Sequence, residues 1–230
     1  MILAAAVVPG PPLLAPALGG GDVTVVELRR ACIDALSDAL GDGPELVAVV
    51  GGAASSATWP DDARADLASY GAAMDPPAHP APLSVGMGCL LLDAVGYHGP
   101  RLIRTVAVDS TMDECRAVAA DVAHAAGRVC LVVVADGTAR RTPKAPGHLD
   151  ERAERYDAAV ERAVATGDLA ALHDLDPTLA AELLASGWAP LQVLAFALHS
   201  PQSTIHYCAA PFGVGYLAAT LTPRLAGRSS

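Results

Sequence analysis

The sequence predicts an α/β fold, in the form of a single three-layer αβα domain with a central, mostly parallel sheet. Short apolar runs alternate with stretches of helical periodicity up to Ala135, and this alternation is typical of strand–helix–strand units. Of the 230 residues, 52% are hydrophobic but only 4% are aromatic, so small aliphatic side chains fill the interior and allow close helix-on-sheet packing. We expect one domain over residues 1–223 and a frayed tail over residues 224–230.

The first part of the chain predicts four buried strands and three helices. The strands are short runs of β-branched and small apolar residues, at 2–8, 46–50, 102–108 and 129–135. The helices are expected at 23–40, 86–95 and 112–126, the last beginning with a capping pattern of Thr111 and Glu114. Residues 59–82 hold many Pro, Asp and Ala residues without a sustained period, which predicts a long irregular connection.

The second part of the chain predicts three helices and then two strands. The helices are expected at 150–166, 176–186 and 189–199, and the strands at 203–207 and 214–220. Asp176 and Pro177 fit an N-cap followed by proline at the first helical position. Pro211 and Gly213 lie between the two strands and suit a hairpin or a crossover at the sheet edge.

Composition excludes several classes of function. The net charge is −10 and no block of Lys or Arg exceeds a pair, so we expect no nucleic-acid binding. No apolar run approaches the roughly 20 residues that span a bilayer, and the proline-broken start has no basic segment, so we expect no membrane association and a cytoplasmic location. The five cysteines are widely spaced without a CxxC pair and are expected to be reduced thiols.

The polar loop that follows the strand at 129–135 is the predicted ligand site, because open α/β proteins bind ligands at the carboxyl ends of parallel strands. Asp136 and Thr138 stand where they could bind a ligand or a cation, although Asp-Gly is also a common turn pair. Arg140 could hold a carboxylate or phosphate, or could pair with neighbouring acidic residues. His148 follows Pro-Gly at a helix entrance and is the candidate general acid or base, with a plain exposed loop histidine as the alternative.

If the strand-end loops share one edge of the sheet, several of their residues surround one cleft. The expected set is Gly10, Gly51, Asp109, Asp136, His148 and Ala210. His206 and Cys208 flank Tyr207, so in a regular strand they face the same side and could ligate a soft or borderline metal, although such residues are more often packing. The dinucleotide, Walker, GxSxG and HExxH motifs are absent from the sequence.

Several short motifs, taken in order, resemble one family. They are Val8-Pro9-Gly10-Pro11-Pro12-Leu13-Leu14, Ala135-Asp136-Gly137-Thr138-Ala139-Arg140-Arg141 leading to Lys144-Ala145-Pro146-Gly147, Leu149-Asp150-Glu151-Arg152-Ala153 with Tyr156-Asp157, and Ala210-Pro211-Phe212-Gly213-Val214-Gly215-Tyr216. Together they look like the class III extradiol ring-cleavage dioxygenase (LigB-like) family, in its alanine-rich actinobacterial branch. The resemblance implies an α/β fold and a non-haem Fe(II) held by two histidines and a glutamate, with a further histidine as acid or base.

The chain departs from that family pattern at the expected iron ligands. Gly10 stands where the family's Pro-His-x-Pro loop has its histidine, and the loop 51–54 and the Asp136 loop also lack one. No glutamate follows Glu182. A facial triad needs these ligands to keep Fe(II) bound, so we expect no cofactor and a catalytically degenerate protein that retains a pocket for a small aromatic or anionic ligand.

The alternative is an active non-haem metal-dependent oxygenase that acts on an aromatic diol. It would use a ligand set foreign to the family, such as His148, His206 and Cys208, and would then need Fe(II) or another divalent metal. Oligomerisation stays open at this point.

Overall fold

The structure is a computed structural model that describes residues 1–41, 43–73 and 75–224. Nine strands follow in chain order within those ranges: β1 (Ile2–Val8), β2 (Leu46–Ala53), β3 (Ala57–Trp59), β4 (Arg64–Ala65), β5 (Pro80–Ala81), β6 (Arg101–Ala107), β7 (Val129–Val134), β8 (Gln202–Ala209) and β9 (Tyr216–Thr222). Seven of them form one sheet in the order β3-β6-β2-β7-β1-β9-β8, and β4 pairs with β5 separately.

The centre of the sheet is parallel. Strands β6, β2, β7 and β1 pair in parallel, while β3 and β9 run antiparallel to their inner neighbours. Because β8 is antiparallel to β9, it runs in the same direction as β1, so five of the seven strands share one direction. This arrangement confirms the predicted α/β fold with a central, mostly parallel sheet.

Helices cover both faces of the sheet and complete the three layers. They are α1 (Pro16–Gly19), α2 (Val23–Leu40), α3 (Leu83–Ala94), α4 (Met112–His124), α5 (Arg152–Thr166), α6 (Pro177–Glu182) and α7 (Trp188–Ala197). Helices α2 and α3 pack on one face, and α4, α5 and α7 lie on the other. Alternate residues of β1 enter the two cores: Ala5 and Val7 face α5 and α7, whereas Ala6 and Val8 face α2.

Polar caps define where three helices begin. The Asp22 carboxylate accepts the backbone N–H groups of Thr24 and Val25 and so caps α2. Thr111 and Glu114 form the predicted capping box at the start of α4, and Asp176 caps α6 ahead of a proline. No helix of the described ranges is both long enough and apolar enough to cross a membrane.

The strand boundaries differ from the sequence expectation mainly at β2 and β8. The sequence predicts Gly51 in a loop, but this residue lies inside β2 because parallel pairing with Thr105 of β6 and Val134 of β7 continues past Val50. Strand β8 extends to Ala209 by pairing with β9. The connection over 59–82 is mostly irregular, as predicted. The frayed tail is expected over 224–230, and residues 225–230 lie outside the described residues. The domain limit at 223 stays a prediction.

Candidate functional site

A cavity of about 180 Å³ lies between α5, α7 and the sheet, beside the carboxyl end of β7; we call it the α5 pocket. Its inner wall is apolar and includes Val7, Val160, Trp188, Leu191 and Leu217. Its rim is polar and includes Arg141, Glu154, Asp157, Glu161 and Cys208. An apolar pocket with a few polar groups beside strand ends is the usual form of a small-molecule site in α/β proteins.

Asp157 joins the loop after β7 to helix α5. One of its carboxylate oxygens accepts the Thr138 backbone N–H at 2.8 Å, and the other accepts the Thr138 hydroxyl at 2.8 Å and an Arg141 N–H at 3.0 Å. Glycine at 137 and 215 permits this close approach, since a Cβ atom would lie 2.7 Å and 2.5 Å from the two carboxylate oxygens. The Asp157 carboxylate therefore fixes one wall of the pocket.

Tyr156 lines the same pocket and is only 5% exposed. Its hydroxyl is buried and has no hydrogen-bond partner within the described part of the chain. Burial, followed by the charges of Asp157 and Asp176, raises the pKa of this phenol, so it stays protonated at neutral pH. A buried hydroxyl without a partner is uncommon and has an unused capacity for hydrogen bonding.

Asp136 binds the ends of three elements together at the edge of the pocket. Its Oδ1 accepts the Gly10 backbone N–H at 2.9 Å, and its carbonyl oxygen accepts the Gly187 N–H at 3.0 Å. Burial raises the pKa of this carboxyl to about 6, although the bond from Gly10 acts in the opposite direction. The charge of Asp136 in turn contributes to the raised pKa values of Cys32 and Tyr216, which places both near it.

The pKa of the Cys208 thiol depends on the charged residues of the pocket rim. Burial is the largest cause of its raised pKa of about 12, followed by the charge of Glu161, a hydrogen bond with Glu161 and the charge of Asp157. The thiol is therefore protonated at neutral pH and is a poor nucleophile. Among the charges that act on the thiol, those of Glu161 and Asp157 raise its pKa and that of Arg141 lowers it.

The structure brings some of the predicted site residues together. Gly10 contacts Asp136 directly, and Thr138 is fully buried against Asp157. Gly51 and Gly10 both lie next to Ser84. A Cβ atom built on Gly51 would lie 2.7 Å from Ser84 Oγ, and one built on Gly10 would lie 3.6 Å from Ser84 Cα. Of the residues predicted to surround one cleft, only Asp136 lines the α5 pocket itself, and the candidate metal ligand Cys208 lines it as well.

Other predicted residues lie away from the pocket lining. Asp109 is exposed after β6, and the Arg140 guanidinium donates to the Gly147 carbonyl. His148 is exposed with a φ of 61°, and its ring makes no hydrogen bond with any described residue. Ala209 lines the pocket, but the next residue, Ala210, does not. The role of His148 as an acid or base stays a prediction without a contact to the pocket.

His206 and Cys208 lie on opposite faces of β8, so the expectation of a shared side is wrong. The pairing of β8 with β9 has an irregularity between Ile205 and Tyr207, which inserts one residue and reverses the alternation. His206 Nε2 lies 2.9 Å from Thr220 Oγ1 and 3.6 Å from Asp38 Oδ2, on the α2 face. Cys208 lines the α5 pocket on the other face.

The described residues do not fit the iron centre that the resemblance implies. No group of three or more His, Cys, Asp or Glu side chains within residues 1–41, 43–73 and 75–224 is arranged to hold a metal ion. A side chain at position 10 would begin with a Cβ 2.8 Å from Val134 Cγ1, and one at position 51 would meet the Ser84 side chain at 2.7 Å. The positions of the missing histidines are therefore filled by neighbouring atoms.

Sequence reasoning missed the residues that shape the pocket wall. Tyr156, Asp157 and Trp188 lie in or beside predicted helices without a predicted role, although the first two belong to the motifs that carry the family resemblance. A tyrosine beside an aspartate on a charge-rich helix is the signal that the sequence offers. It points to α5 as a wall of the site as well as to the loop before it.

Comparisons with known proteins support the fold. No family model and no curated protein matches the chain. Eighteen chains of solved structures do match. One is the crystal structure of the uncharacterized protein JW3007 from Escherichia coli K12, with a TM-score of 0.57, 13% sequence identity, and coverage of 95% of this chain and 99% of that chain. At this identity the likeness extends to the fold alone.

Proposed function

We propose that this protein is a LigB-like α/β protein that binds a small single-ring molecule in the α5 pocket and does not use iron. The observation that carries the proposal is the apolar wall of this pocket, which includes Val160, Trp188 and Leu191 and lies beside the carboxyl end of β7. A ligand that buries its ring against this wall gains free energy, because apolar surface is removed from water.

The size of the pocket supports a ring rather than a larger ligand. Its volume of about 180 Å³ compares with the roughly 150 Å³ of an apolar engineered cavity that binds benzene. The indole of Trp188 and the side chains of Val160 and Leu191 offer apolar contacts for a ring. Benzyl alcohol, a ring with one hydroxyl, is therefore a suitable first probe.

We expect benzyl alcohol to bind the wild-type protein and to protect it against thermal unfolding. Leu191→Ala should weaken binding about fivefold, because the ring loses apolar contacts worth about 1 kcal/mol. Isothermal titration and thermal shift measure both effects. Leu90→Ala is the matched control, since Leu90 packs against the core on the α2 and α3 face and does not line the pocket.

Occlusion of the pocket gives a second arm of the same test. Ala209 is exposed and lines the pocket, so Ala209→Trp should abolish binding without unfolding the protein. Thr204→Trp introduces the same side chain at an exposed position of β8 that does not line it. Equal binding by both tryptophan variants would mean that the α5 pocket is not the site.

The proposal also predicts that protein purified without added metal carries no stoichiometric iron and does not cleave simple catechols. The physical reason is that Gly10 and the segment 51–54 offer no side-chain donor, so open-site iron would be held too weakly to survive purification. Elemental analysis and a ring-cleavage assay measure the two quantities. About one iron per chain, lost in His206→Ala or His148→Ala, would instead favour an active oxygenase with a foreign ligand set.

Gly10→His extends this prediction to the missing ligand. We expect the variant to lose stability and to gain no iron, because its Cβ would lie 2.8 Å from Val134 Cγ1. Gly10→Ala serves as the control, since it adds the same Cβ without a metal ligand. A Gly10→His protein that melts like the wild type and binds iron stoichiometrically, while Gly10→Ala binds none, would contradict the proposal.

A further inference from the structure

We propose that a second copy of this chain docks on the free edge of the sheet at β8. In the resulting symmetric dimer, β8 pairs antiparallel with the partner's β8, and α5 packs against the partner's α5. The proposal goes beyond the binding of a small molecule and does not depend on it. It is carried by an unprotected edge strand and by the pattern of charges on the helix beside that strand.

Strand β8 is the last strand of the seven-stranded sheet, so one of its edges has no neighbouring strand. It has eight residues and contains no proline and no Asp, Glu, Lys or Arg. Beyond its pairing with β9, no backbone N–H or C=O group of β8 hydrogen bonds with another described residue. The irregularity between Ile205 and Tyr207 interrupts this edge, but residues 207–209 pair regularly with β9 beyond it. Unpaired backbone groups of this kind accept another strand unless they are protected.

The opposite edge of the same sheet shows the protection that β8 lacks. Strand β3 has three residues and is followed at once by Pro60, Asp61 and Asp62. A short strand that ends in proline and carboxylates is poorly suited to accept another strand. Of the two edges of this sheet, β8 is therefore the one suited to strand addition.

Helix α5 packs against β8 and carries charges that are complementary to those of a second copy. Glu154 and Arg162 lie at equal distances in sequence on either side of Ala158, and so do Arg155 and Glu161. Two copies of α5 that cross antiparallel at Ala158 therefore place each glutamate opposite an arginine of the partner. Ala158 is exposed, and its small side chain permits close approach at the crossing. Arg155, Glu161 and Arg162 make no ion pair within the described part of the chain, so their charges can pair between copies.

The strand and the helix place the two-fold axis at the same position. Ala158, Glu161 and Cys208 all line the α5 pocket, so the centre of the charge pattern lies beside the last residues of β8. An axis near Cys208 pairs residues 207–209 with the same residues of the partner. The three lining residues are exposed in the single chain, so the second copy also borders the mouth of the α5 pocket.

We expect the wild-type protein to sediment as a dimer at micromolar concentrations. Arg155→Glu should raise the dissociation constant of the dimer about thirtyfold, which corresponds to about 2 kcal/mol, because symmetry places the new carboxylate beside the partner's Glu161 twice. The double variant that also carries Glu161→Arg exchanges the two charges and should restore the wild-type affinity. Arg116→Glu is the matched control, since this side chain is 61% exposed on α4, away from β8. Analytical ultracentrifugation over a concentration series measures all four proteins.

Cys208 tests the position of the axis, because it is exposed whereas the other four cysteines are buried. Facing Cα atoms of an antiparallel pair lie about 4.5–5.5 Å apart, within the span of a disulfide. Mild oxidation should therefore give a covalent dimer on a non-reducing gel, and Cys208→Ser should abolish it. Thr204→Cys in the Cys208→Ser background is the control for random collision, because the two copies of position 204 would lie about 27 Å apart.

A monomeric wild-type protein would overturn the proposal. A dimer that Arg155→Glu leaves intact, or that oxidation does not link through Cys208, uses another surface and would overturn it as well. The same holds if Arg116→Glu weakens the dimer as much as Arg155→Glu, if the double variant does not restore it, or if Thr204→Cys links as readily as Cys208. None of these measurements uses a ligand of the α5 pocket, so this inference and the proposed function fail separately.

Discussion

Replacement of Asp157 by alanine will lower the free energy of unfolding by about 3 kcal/mol, at the lower end of the range for breaking a buried ion pair. The carboxylate is 13% exposed and accepts hydrogen bonds from Thr138 and Arg141. Its loss leaves the fully buried Thr138 hydroxyl without that acceptor, and Arg141 without its closest carboxylate. The loop after β7 would then lose its main connection to α5.

Urea denaturation at pH 7.5 measures the effect, and the melting temperature should fall by about 6–12 °C for a domain of this size. Asp157→Asn should cost less, because the amide oxygen can still accept the Thr138 backbone N–H. Asp34→Ala is the surface control: the Asp34–Arg30 pair is 3.9 Å long with side chains 54% and 83% exposed, and its loss should cost below about 0.5 kcal/mol. Similar costs for Asp157→Ala and Asp34→Ala would show that the Asp157 contacts are not stabilising.

The longer strands and helices were predictable because each carries its own local signal, whereas the short β3, β4, β5 and α1 were not predicted. Helix α2 lies over Val23–Leu40, as its periodicity predicts, and Asp22 caps it. The capping box at Thr111 follows from two side chains three residues apart. These contacts are local in sequence, so the residues that make them can be found without knowledge of the fold.

Features that depend on pairing between distant segments were not predictable in the same way. The irregularity that separates His206 from Cys208 exists only because β8 pairs with β9, and no residue of β8 indicates it alone. Gly51 is inside a strand because β6 and β7 extend beside it. In both cases the deciding contact comes from another part of the chain.

The residues of the candidate site also fall into a predictable and an unpredictable group. Asp136 was predictable, because the end of a buried strand is visible in the sequence and strand ends carry ligand sites. The partnership of Asp157 with Thr138 was not, because it joins a helix to a loop across 19 positions. The pocket is lined both by Asp136, at the predictable strand end, and by Asp157, whose contact with the loop was not predictable.

Replacement of Asp136 by asparagine will stabilise the protein at pH 7.5 by about 2 kcal/mol and will have progressively less effect as the pH falls towards 4. Burial raises the pKa of this carboxyl from 3.8 to about 6 in the folded protein. A pKa that differs by one between the folded and unfolded states corresponds to about 1.36 kcal/mol, so the cost of holding the charge at neutral pH is at most about 3 kcal/mol.

The direction follows from proton linkage. Between pH 3.8 and about 6 the folded protein keeps a proton on Asp136 that the unfolded chain releases, so the free energy of unfolding falls as the pH rises through that window. Above about pH 6 the folded protein bears the full free-energy cost of the charged carboxylate. Below pH 3.8, the pKa of Asp136 in the unfolded chain, this cost vanishes. Gly10 donates a hydrogen bond to this carboxyl, while Cys32 and Tyr216, whose pKa values the Asp136 charge helps to raise, supply no positive charge at neutral pH.

The asparagine variant keeps the shape and removes the charge. Its amide oxygen can accept the Gly10 N–H that now lies 2.9 Å from Asp136 Oδ1, so the end of β1 stays joined to the end of β7. Urea denaturation of both proteins at pH 4.5, 6 and 7.5 gives the stability difference as a function of pH, and Asp109→Asn, at an exposed loop position, gives the baseline. A stability difference that is constant across this range would mean that Asp136 carries no raised pKa. A difference that grows with pH would mean instead that the partly buried carboxylate at the edge of the α5 pocket is held at a cost in stability, as expected for a group kept for function.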